Sequence, residues 1–333
     1  MTKYVISGYI GFDNFGDEAI ASVLVDYLKK NGAEKITYIS SNPQKTSKLH
    51  DVSAVGMFSF IPEIVKSDVL ISGGGSLLQD VTSLKSLIYY LLIILTALFF
   101  RKKVLIFAQG ITPFRTKIAE KLAIAILKKC TEISVRDKKS QEYLKKFGIL
   151  STLVADPVFG LKTPVGKVKN VVGIQLRDYP SVTNKFLENL ADIVAERFRD
   201  KDIEIISLQD NLDLKIAKQF KKMLKKRDIE ANVKHNLSIK KAIKKFSVME
   251  YLIAMRFHAC LLGVKSGVKV LGINYDEKVE KLANDVGFPL IELKNNDFTK
   301  EFDELEKIDI KKYNIPQFRF EDIILLNSPV GYW

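Results

Sequence analysis

Cysteine and histidine are scarce in this chain of 333 residues, which contains two cysteines and three histidines. The two cysteines, Cys130 and Cys260, do not have the spacing of metal ligands, and isolated thiols are typical of a reducing compartment. We see no carboxylate–histidine cluster, so we expect no metal requirement. The first residues lack the pattern of a signal peptide, and we therefore expect a cytoplasmic protein.

Apolar runs long enough to cross a membrane are also lacking. One apolar run, residues 87–100, is followed by three basic residues at 101–103. A bilayer needs about 20 residues, so the run predicts a helix buried in the core. The alternative is a partly exposed helix that contacts a membrane surface or a second subunit through 87–103, and the substitutions Leu91→Glu and Ile94→Glu would test it.

Positive charge is present in excess. The 52 lysine and arginine residues outnumber 39 acidic ones, which gives a net charge of +13. The lysines are spread along many predicted helices, and a compact arginine and aromatic motif for nucleic acid is missing. The preferred explanation of the positive charge is a solvated lysine-rich surface, and the second is attraction to anionic lipid or phosphorylated substrates. We expect no nucleic-acid partner.

Apolar strand patterns alternate with amphipathic helical patterns along the chain. A stretch rich in proline, glycine and lysine at 162–169 indicates a linker. We predict an α/β fold of two Rossmann-like, doubly wound domains facing across a cleft. They cover 1–163 (the acceptor side) and 170–310 (the donor side), and a tail at 311–333 could pack back on the first domain. An oligomer is compatible with this organisation.

Two glycine-rich loops follow predicted strands of the first domain. Residues 8–16 lack the spacing of a dinucleotide fingerprint, but their amides suit an anion or a sugar. Gly73-Gly74-Gly75 permits close approach of a ligand. We place Gln79 and Asp80 in the first turns of the following helix. The candidate binding residues in these loops are Gly11, Asn14, Gly16, Asp17, Gly73, Gly74, Gly75, Gln79 and Asp80.

An arginine and a histidine occupy a strand–helix corner of the second domain. Residues 251–255 predict a buried parallel strand and 258–264 predict a helix. Arg256 and His258 therefore lie where open α/β sheets bind ligands and where helix amides favour anions. Position alone leaves a structural and a functional interpretation equally open.

Arg136 has the same position at the end of a strand in the first domain. Its structural interpretation would be capping, or pairing with Asp137 or Asp156.

Six sequence blocks follow one another between about positions 4 and 285. They are GYIGFDNFGDEA at 8–19, GGGSLLQDVTS at 73–83, SVRD at 134–137, Ala-Asp-Pro at 155–157, RFHA at 256–259 and GINYDEKV at 272–279. In this order they resemble the polysaccharide pyruvyltransferase family, its cell-wall CsaB-type branch in particular. Matching the motifs assigns Arg136, Arg256 and His258 to phosphoenolpyruvate and Lys278 to a further basic catalytic position.

The resemblance implies the GT-B architecture and transfer of a pyruvyl group from phosphoenolpyruvate to a sugar, with formation of a pyruvate ketal and release of phosphate. Phosphoenolpyruvate is the co-substrate, and no cofactor is implied. For the cell-wall branch, the implied acceptor is a ManNAc-containing saccharide linked to undecaprenyl diphosphate, made in the cytoplasm for secondary cell-wall polysaccharide. The pyruvylated polymer then anchors S-layer-type proteins.

The residue types fit this chemistry. Arginine and lysine suit the phosphate and carboxylate of phosphoenolpyruvate. His258 is the best acid or base for the proton that the methylene carbon must gain. Asp17, Asp80 or Asp156 would position the acceptor hydroxyls, or cap a helix or turn.

Two other functions remain open: a GT-B glycosyltransferase that uses a nucleotide sugar, and a non-catalytic phosphate-sensing protein. We expect His258→Ala and Arg256→Ala each to abolish turnover while the melting temperature stays nearly unchanged.

Overall fold

A computed structural model describes residues 2–81, 83–111, 113–164, 168–323 and 326. The chain forms two compact units. The N-unit comprises the residues up to Leu161 together with the segment that starts at Gln317, and the C-unit comprises Lys162–Pro316.

The N-unit is built on a parallel sheet of seven strands. These are β1 (Lys3–Ser7), β2 (Lys35–Ser40), β3 (Ser53–Gly56), β4 (Val69–Gly73), β5 (Lys103–Gln109), β6 (Glu132–Val135) and β7 (Thr152–Leu153). The helices are α1 (Phe15–Lys30), α2 (Pro43–His50), α3 (Phe60–Lys66), α4 (Leu84–Phe99), α5 (Lys117–Leu127) and α6 (Lys138–Lys145), and a 3₁₀ turn covers Pro157–Gly160. The strand order is β3-β2-β1-β4-β5-β6-β7, with Val5 of β1 in register between Thr37 and Leu70.

The C-unit repeats this plan with six parallel strands. They are β8 (Val171–Gln175), β9 (Asp202–Ile206), β10 (Ala231–Lys234), β11 (Tyr251–Ala254), β12 (Lys269–Asn274) and β13 (Leu290–Glu292). The helices are α7 (Asn184–Arg197), α8 (Asp210–Lys225), α9 (Ile239–Phe246), α10 (Phe257–Lys265), α11 (Glu277–Val286) and α12 (Thr299–Lys307). The order β10-β9-β8-β11-β12-β13 makes this sheet doubly wound like the first, which confirms the predicted α/β fold of two doubly wound units.

Burial explains why these segments form strands. All five residues of β8 and all four of β11 are buried, as expected for parallel strands covered on both faces. Several helices begin at a side chain that accepts an amide hydrogen bond, such as Ser83 before α4 and Thr183 before α7. The sequence alone does not predict β3, α2 and α3, because few of their residues are buried. No residue of β3 is buried, α2 buries only Thr46 and His50, and α3 buries only Ile64.

Phe318 and Phe320 pack against aromatic side chains of the N-unit. Phe320 stacks on Tyr27 with ring centroids 3.7 Å apart, and it also lies 6.1 Å from Phe107 of β5. The structure shows a 3₁₀ turn at Phe320–Asp322 within the predicted tail at 311–333, of which residues 324, 325 and 327–333 lie outside the described residues. Tyr313 belongs to the C-unit, where its hydroxyl donates to the carbonyl of Val268 at 3.2 Å.

Candidate active site

Each sheet has one point at which the strand order reverses, between β1 and β4 in the N-unit and between β8 and β11 in the C-unit. The connections from the two strands leave in opposite directions there, which opens a crevice at their carboxyl ends. The two glycine loops follow β1 and β4, and Arg256 follows β11. Both units thus place predicted site residues where open α/β sheets bind ligands.

Buried polar contacts fix the first glycine loop. Gly11 has φ +85° and donates its amide to the Glu18 carboxylate at 2.8 Å. The other oxygen of Glu18 lies 2.7 Å from Nε2 of His50, and both side chains are buried. A Cβ at position 11 would lie 2.6 Å from the amide nitrogen of Asn42, so glycine is required there. Gly11 therefore has a folding role beside the predicted binding role.

The start of α1 joins the two loops. Asn14 caps the helix by accepting the Gly16 amide at 3.1 Å. Asp17 and Glu18 lie in the first turn, where the helix dipole favours acidic side chains. Oδ1 of Asp17 lies 2.8 Å from the position that a Cβ on Gly75 would occupy. The Asp17 carboxylate thus lies directly against the second glycine loop.

Packing against α1 explains two of the three consecutive glycines. Gly74 and Gly75 have φ +72° and +75°, in the left-handed region that favours glycine. A Cβ on Gly74 would lie 2.6 Å from Cγ2 of Ile20. Close approach of the second glycine loop to α1 is therefore a structural reason for these glycines, in addition to the approach of a ligand.

Gln79 and Asp80 precede α4, which begins at Leu84, so their predicted position in its first turns is wrong. Asp80 instead accepts the amides of Arg115 and Thr116 at 2.8 and 3.1 Å and holds the chain before α5. Burial raises the pKa of Asp80, but these hydrogen bonds outweigh it and keep the pKa below its ordinary value. Asp80 thus has the capping role that was the alternative to binding a hydroxyl.

Arg136 follows β6, and its partners include Asp156 and Ser76. Its Nη1 donates to Asp156 at 2.7 Å, and its Nη2 donates to Oγ of Ser76 at 3.2 Å. Asp156 is 3% exposed and also accepts the amide of Val158 at 3.0 Å. Because Ser76 comes directly after the three glycines, the contact links Arg136 to the second glycine loop. Asp156 is therefore an ion-pair partner of Arg136, while Asp137 caps α6.

Arg256 lies immediately before α10, which begins at Phe257, one residue earlier than predicted. Its amide donates to Oε1 of Gln175 at 2.8 Å. Its Nε and Nη2 donate to the Asp213 carboxylate at 2.8 and 2.6 Å. Two parallel N–H···O bonds of this kind are strong and fix the plane of the guanidinium. The Arg256 side chain is 11% exposed, so it lies at the edge of the crevice in one defined orientation.

Asp213, in the first turn of α8, is the buried ion-pair partner of Arg256. Its side chain is fully buried, and its Oδ2 also accepts the amides of Leu208 and Gln209 at 3.0 and 3.1 Å. Nε2 of Gln175 lies 3.3 Å from the same oxygen. These hydrogen bonds and the Arg256 charge compensate for the hydration that the buried carboxylate loses. The sequence alone points neither to Gln175 nor to Asp213. An acidic residue in the first turn of a helix is ordinarily explained by the helix dipole.

His258 is the second residue of α10 and is half-buried. Its ring lies edge-on to that of Phe257, with centroids 5.0 Å apart. The first amides of a helix have no partner within the helix, so an anion placed here would receive N–H donors from α10. The structure thus keeps His258 at the anion-favouring end of the helix.

A second arginine lies at the same crevice. Nη1 of Arg177, which comes two residues after β8, donates to the hydroxyl of Tyr275 at 3.3 Å, and its guanidinium carbon lies 5.6 Å from the centre of the Tyr275 ring. Burial raises the pKa of Tyr275, while the charges of Arg177 and Arg256 act in the opposite direction. Lys278 is exposed in the first turn of α11, four residues after the end of β12 and three after Tyr275.

Three neighbouring strands of the C-unit therefore place basic side chains at one edge of the sheet. Arg177 follows β8, Arg256 and His258 follow β11, and Lys278 follows β12. The cluster combines planar donors, a point charge and a histidine, which suits a ligand with more than one anionic group. The sequence signal for Arg177 was the same as for Arg256, an arginine directly after an apolar strand pattern.

The sequence also matches the model of a known protein family. A family model described as polysaccharide pyruvyl transferase matches residues 14–277. The chain belongs to the polysaccharide pyruvyl transferase family. The matched region contains Arg136, Arg177, Arg256 and His258 and ends one residue before Lys278. A comparison with curated proteins finds no match.

Solved structures share the fold of this pyruvyl transferase family member at low sequence identity. The UDP-GlcNAc 2-epimerase from Methanocaldococcus jannaschii has a TM-score of 0.66 at 12% identity, over 97% of both chains. The Neisseria meningitidis enzyme bound to UDP-GlcNAc has a TM-score of 0.64 at 11% identity, over 95% of both chains. HepE from Anabaena in complex with UDP-glucose has a TM-score of 0.62 at 10% identity, over 95% of this chain and 92% of its own. These similarities show the GT-B fold alone.

In the part of the chain that the structure describes, no group of three or more histidine, cysteine, aspartate and glutamate side chains is placed to hold a metal ion.

Proposed function

We propose that this protein transfers the pyruvyl group of phosphoenolpyruvate to two hydroxyl groups of a sugar and releases phosphate. The proposed acceptor is ManNAc in a lipid-diphosphate-linked precursor of a cell-wall polysaccharide, as in the CsaB-type branch of the family. The proposed setting is the cytoplasm, with S-layer anchoring as the use of the product. The observation that carries the proposal is the cluster of basic side chains around His258 in the C-unit.

Phosphoenolpyruvate has two anionic groups, and the C-unit cluster has a donor for each. Asp213 occupies Nε and Nη2 of Arg256 and not Nη1, so one edge of the guanidinium remains for the donor substrate. Nε of Arg177 is buried and has no hydrogen-bond partner among the described residues. A buried N–H without a partner costs about 1–3 kcal/mol, and a bound carboxylate or phosphate would remove that cost.

The proposed reaction gives His258 a proton to transfer. His258 protonates the methylene carbon of phosphoenolpyruvate, which makes the neighbouring carbon electrophilic. One sugar hydroxyl adds to that carbon, the bond from carbon to the phosphate oxygen breaks, and the second hydroxyl closes the ketal. The two hydroxyls lose two protons: one replaces the proton given to the methylene carbon, and the other leaves with phosphate. Arg256 and Lys278 stabilise the departing phosphate.

In the N-unit we propose that the glycine loops bind the acceptor. Asp17 is the acidic side chain proposed to hold a hydroxyl, because its carboxylate lies against the second glycine loop. Arg136 retains its proposed role with phosphoenolpyruvate on the strength of its family motif. Asp156 and Ser76 would then orient it.

The direct test is phosphate release from phosphoenolpyruvate in the presence of a ManNAc-containing lipid-diphosphate acceptor. We expect one phosphate for each acceptor that gains a pyruvyl ketal by mass spectrometry, and no phosphate when the acceptor is omitted. UDP-GlcNAc with the same acceptor is the comparison, because the solved structures of similar fold include enzymes with UDP-sugars. Release of UDP without any use of phosphoenolpyruvate would overturn the proposal in favour of a glycosyltransferase.

Arg177→Met is expected to raise the KM for phosphoenolpyruvate about tenfold or more, because a hydrogen bond to a charged group contributes about 1.5–3 kcal/mol. The kcat should change less, since Arg256 and His258 remain in place. Steady-state kinetics at varied phosphoenolpyruvate concentration measure both constants.

The matched control for Arg177 is Arg199→Met, which removes an exposed arginine of the same unit and should leave KM unchanged. An unaltered KM in Arg177→Met would show that Arg177 serves only to pack against Tyr275.

A further inference from the structure

The outer side of α4 is apolar. Its exposed side chains include Ile88, Leu92, Leu95 and Phe99, with Leu92 51% and Phe99 80% exposed. Their spacing of four, three and four residues puts them in one stripe along the helix. Leu91 and Ile94, which the sequence suggested as surface probes, are each 1% exposed. The run at 87–100 is therefore core on one side and surface on the other.

Helices α3 and α5 lie on either side of α4 and widen this stripe. Ile61 and Val65 of α3 are 49% and 44% exposed, and Ile118 and Leu122 of α5 are 82% and 45% exposed. Phe58, just before α3, is 87% exposed, and its ring lies edge-on to Tyr89 of α4. We define the apolar face as Phe58, Ile61, Val65, Ile88, Leu92, Leu95, Phe99, Ile118 and Leu122.

The exposed charges on these three helices are all basic. They are Lys66, Lys85, Lys117 and Lys121, and the exposed Arg101 follows α4. The helices contain two acidic residues, and neither is exposed. Glu63 lies 3.0 Å from Nζ of Lys35, and Glu120 accepts a hydrogen bond from Tyr143. An apolar surface whose helices expose only positive charges is complementary to an anionic surface.

We propose that the apolar face docks the protein on a membrane surface rich in anionic lipid. Exposed leucine, isoleucine and phenylalanine side chains would enter the acyl boundary, while the lysines contact phosphate headgroups. A second copy of the chain is a poorer occupant, because a twofold interface would bring the same basic residues together. A protein partner is also disfavoured, since lysine is depleted in such interfaces.

The contact is peripheral, because each helix that the structure describes is too short or too polar to cross a bilayer. The inference does not depend on the proposed reaction. Vesicle binding is measured without substrate, so its failure and the failure of pyruvyl transfer are separate results.

The test is flotation of the full chain with vesicles of phosphatidylglycerol and phosphatidylcholine, compared with vesicles of phosphatidylcholine alone. We expect binding to the anionic vesicles that weakens as salt is added. The double variant Ile88→Glu with Leu92→Glu should lower the partition coefficient for the anionic vesicles about tenfold or more. It removes two apolar contacts with the membrane and adds two negative charges, which the anionic lipid repels. Both positions are exposed, so the fold should tolerate the change.

Leu150→Glu is the matched control, because Leu150 is 92% exposed but lies outside the apolar face. It should bind as the wild type does. Absence of binding by the wild type, or equal binding by the wild type and the double variant, would overturn the proposal. So would a dimer in light scattering that the double variant converts to a monomer, because the face would then be an interface between copies.

Discussion

Arg256→Ala is expected to lower the free energy of unfolding by about 3 kcal/mol, and not only to stop the reaction. The substitution leaves Asp213 with its charge in a fully buried site and without its bidentate partner. Removal of one member of a buried pair ordinarily costs about 3–5 kcal/mol. The lower end applies here because the amides of Leu208 and Gln209 still bind the carboxylate. The melting temperature should fall by about 6–12 °C, which thermal unfolding measures.

This expectation replaces the one from sequence alone, which predicted lost turnover at an almost unchanged melting temperature. Two further variants separate stability from activity. Arg256→Ala combined with Asp213→Asn should recover most of the lost stability, because no buried charge is left without a partner, but should not recover turnover. Arg256→Lys keeps a positive charge near Asp213 but not the planar fork, so it should melt close to the wild type and turn over about 100-fold more slowly or worse.

A wild-type melting temperature in Arg256→Ala would show that the Asp213 pair contributes nothing to the stability of the C-unit. Full activity in Arg256→Lys would show that Arg256 is needed for structure and not for the donor substrate.

The corner at Arg256 could be predicted because its signals are local. β11 ends at Ala254 and α10 begins at Phe257, close to the limits given by the apolar run and the helical pattern. Its partners could not be predicted in the same way. Gln175 lies at the end of β8, and Asp213 lies at the start of α8. Both reach Arg256 because β9, β8 and β11 are neighbours in the sheet. That order is a property of tertiary packing and not of any one strand.

The same limit applies to the second glycine loop and to α4. The sequence indicates close approach at Gly74 and Gly75, but only the structure shows that Ile20 and Asp17 of α1 are what approaches. In α4 nearly every residue is apolar, so periodicity cannot separate the buried side from the exposed one. The contacts with α3 and α5 decide which side chains remain in solvent.

His258→Ala is expected to lower kcat by about 10²–10⁴-fold, the contribution of a positioned acid or base. The melting temperature should remain near that of the wild type, because the His258 side chain is half-buried at the first turn of α10 and does not hold a fully buried charge as Arg256 does. Single-turnover phosphate release at saturating phosphoenolpyruvate measures the chemical step. His258→Gln, which keeps a polar side chain of similar size but cannot transfer a proton at neutral pH, should be equally slow.

The chain offers a matched histidine as the control. His235 also follows a strand of the C-unit, β10, and its Nδ1 lies 3.3 Å from Asp210 in an exposed pair at the far edge of the sheet. His235→Ala should keep the wild-type kcat, because the position is removed from the crevice between β8 and β11. Wild-type turnover in His258→Gln would mean that the ring transfers no proton. The C-unit cluster would then act by charge alone, with water supplying the proton to the methylene carbon.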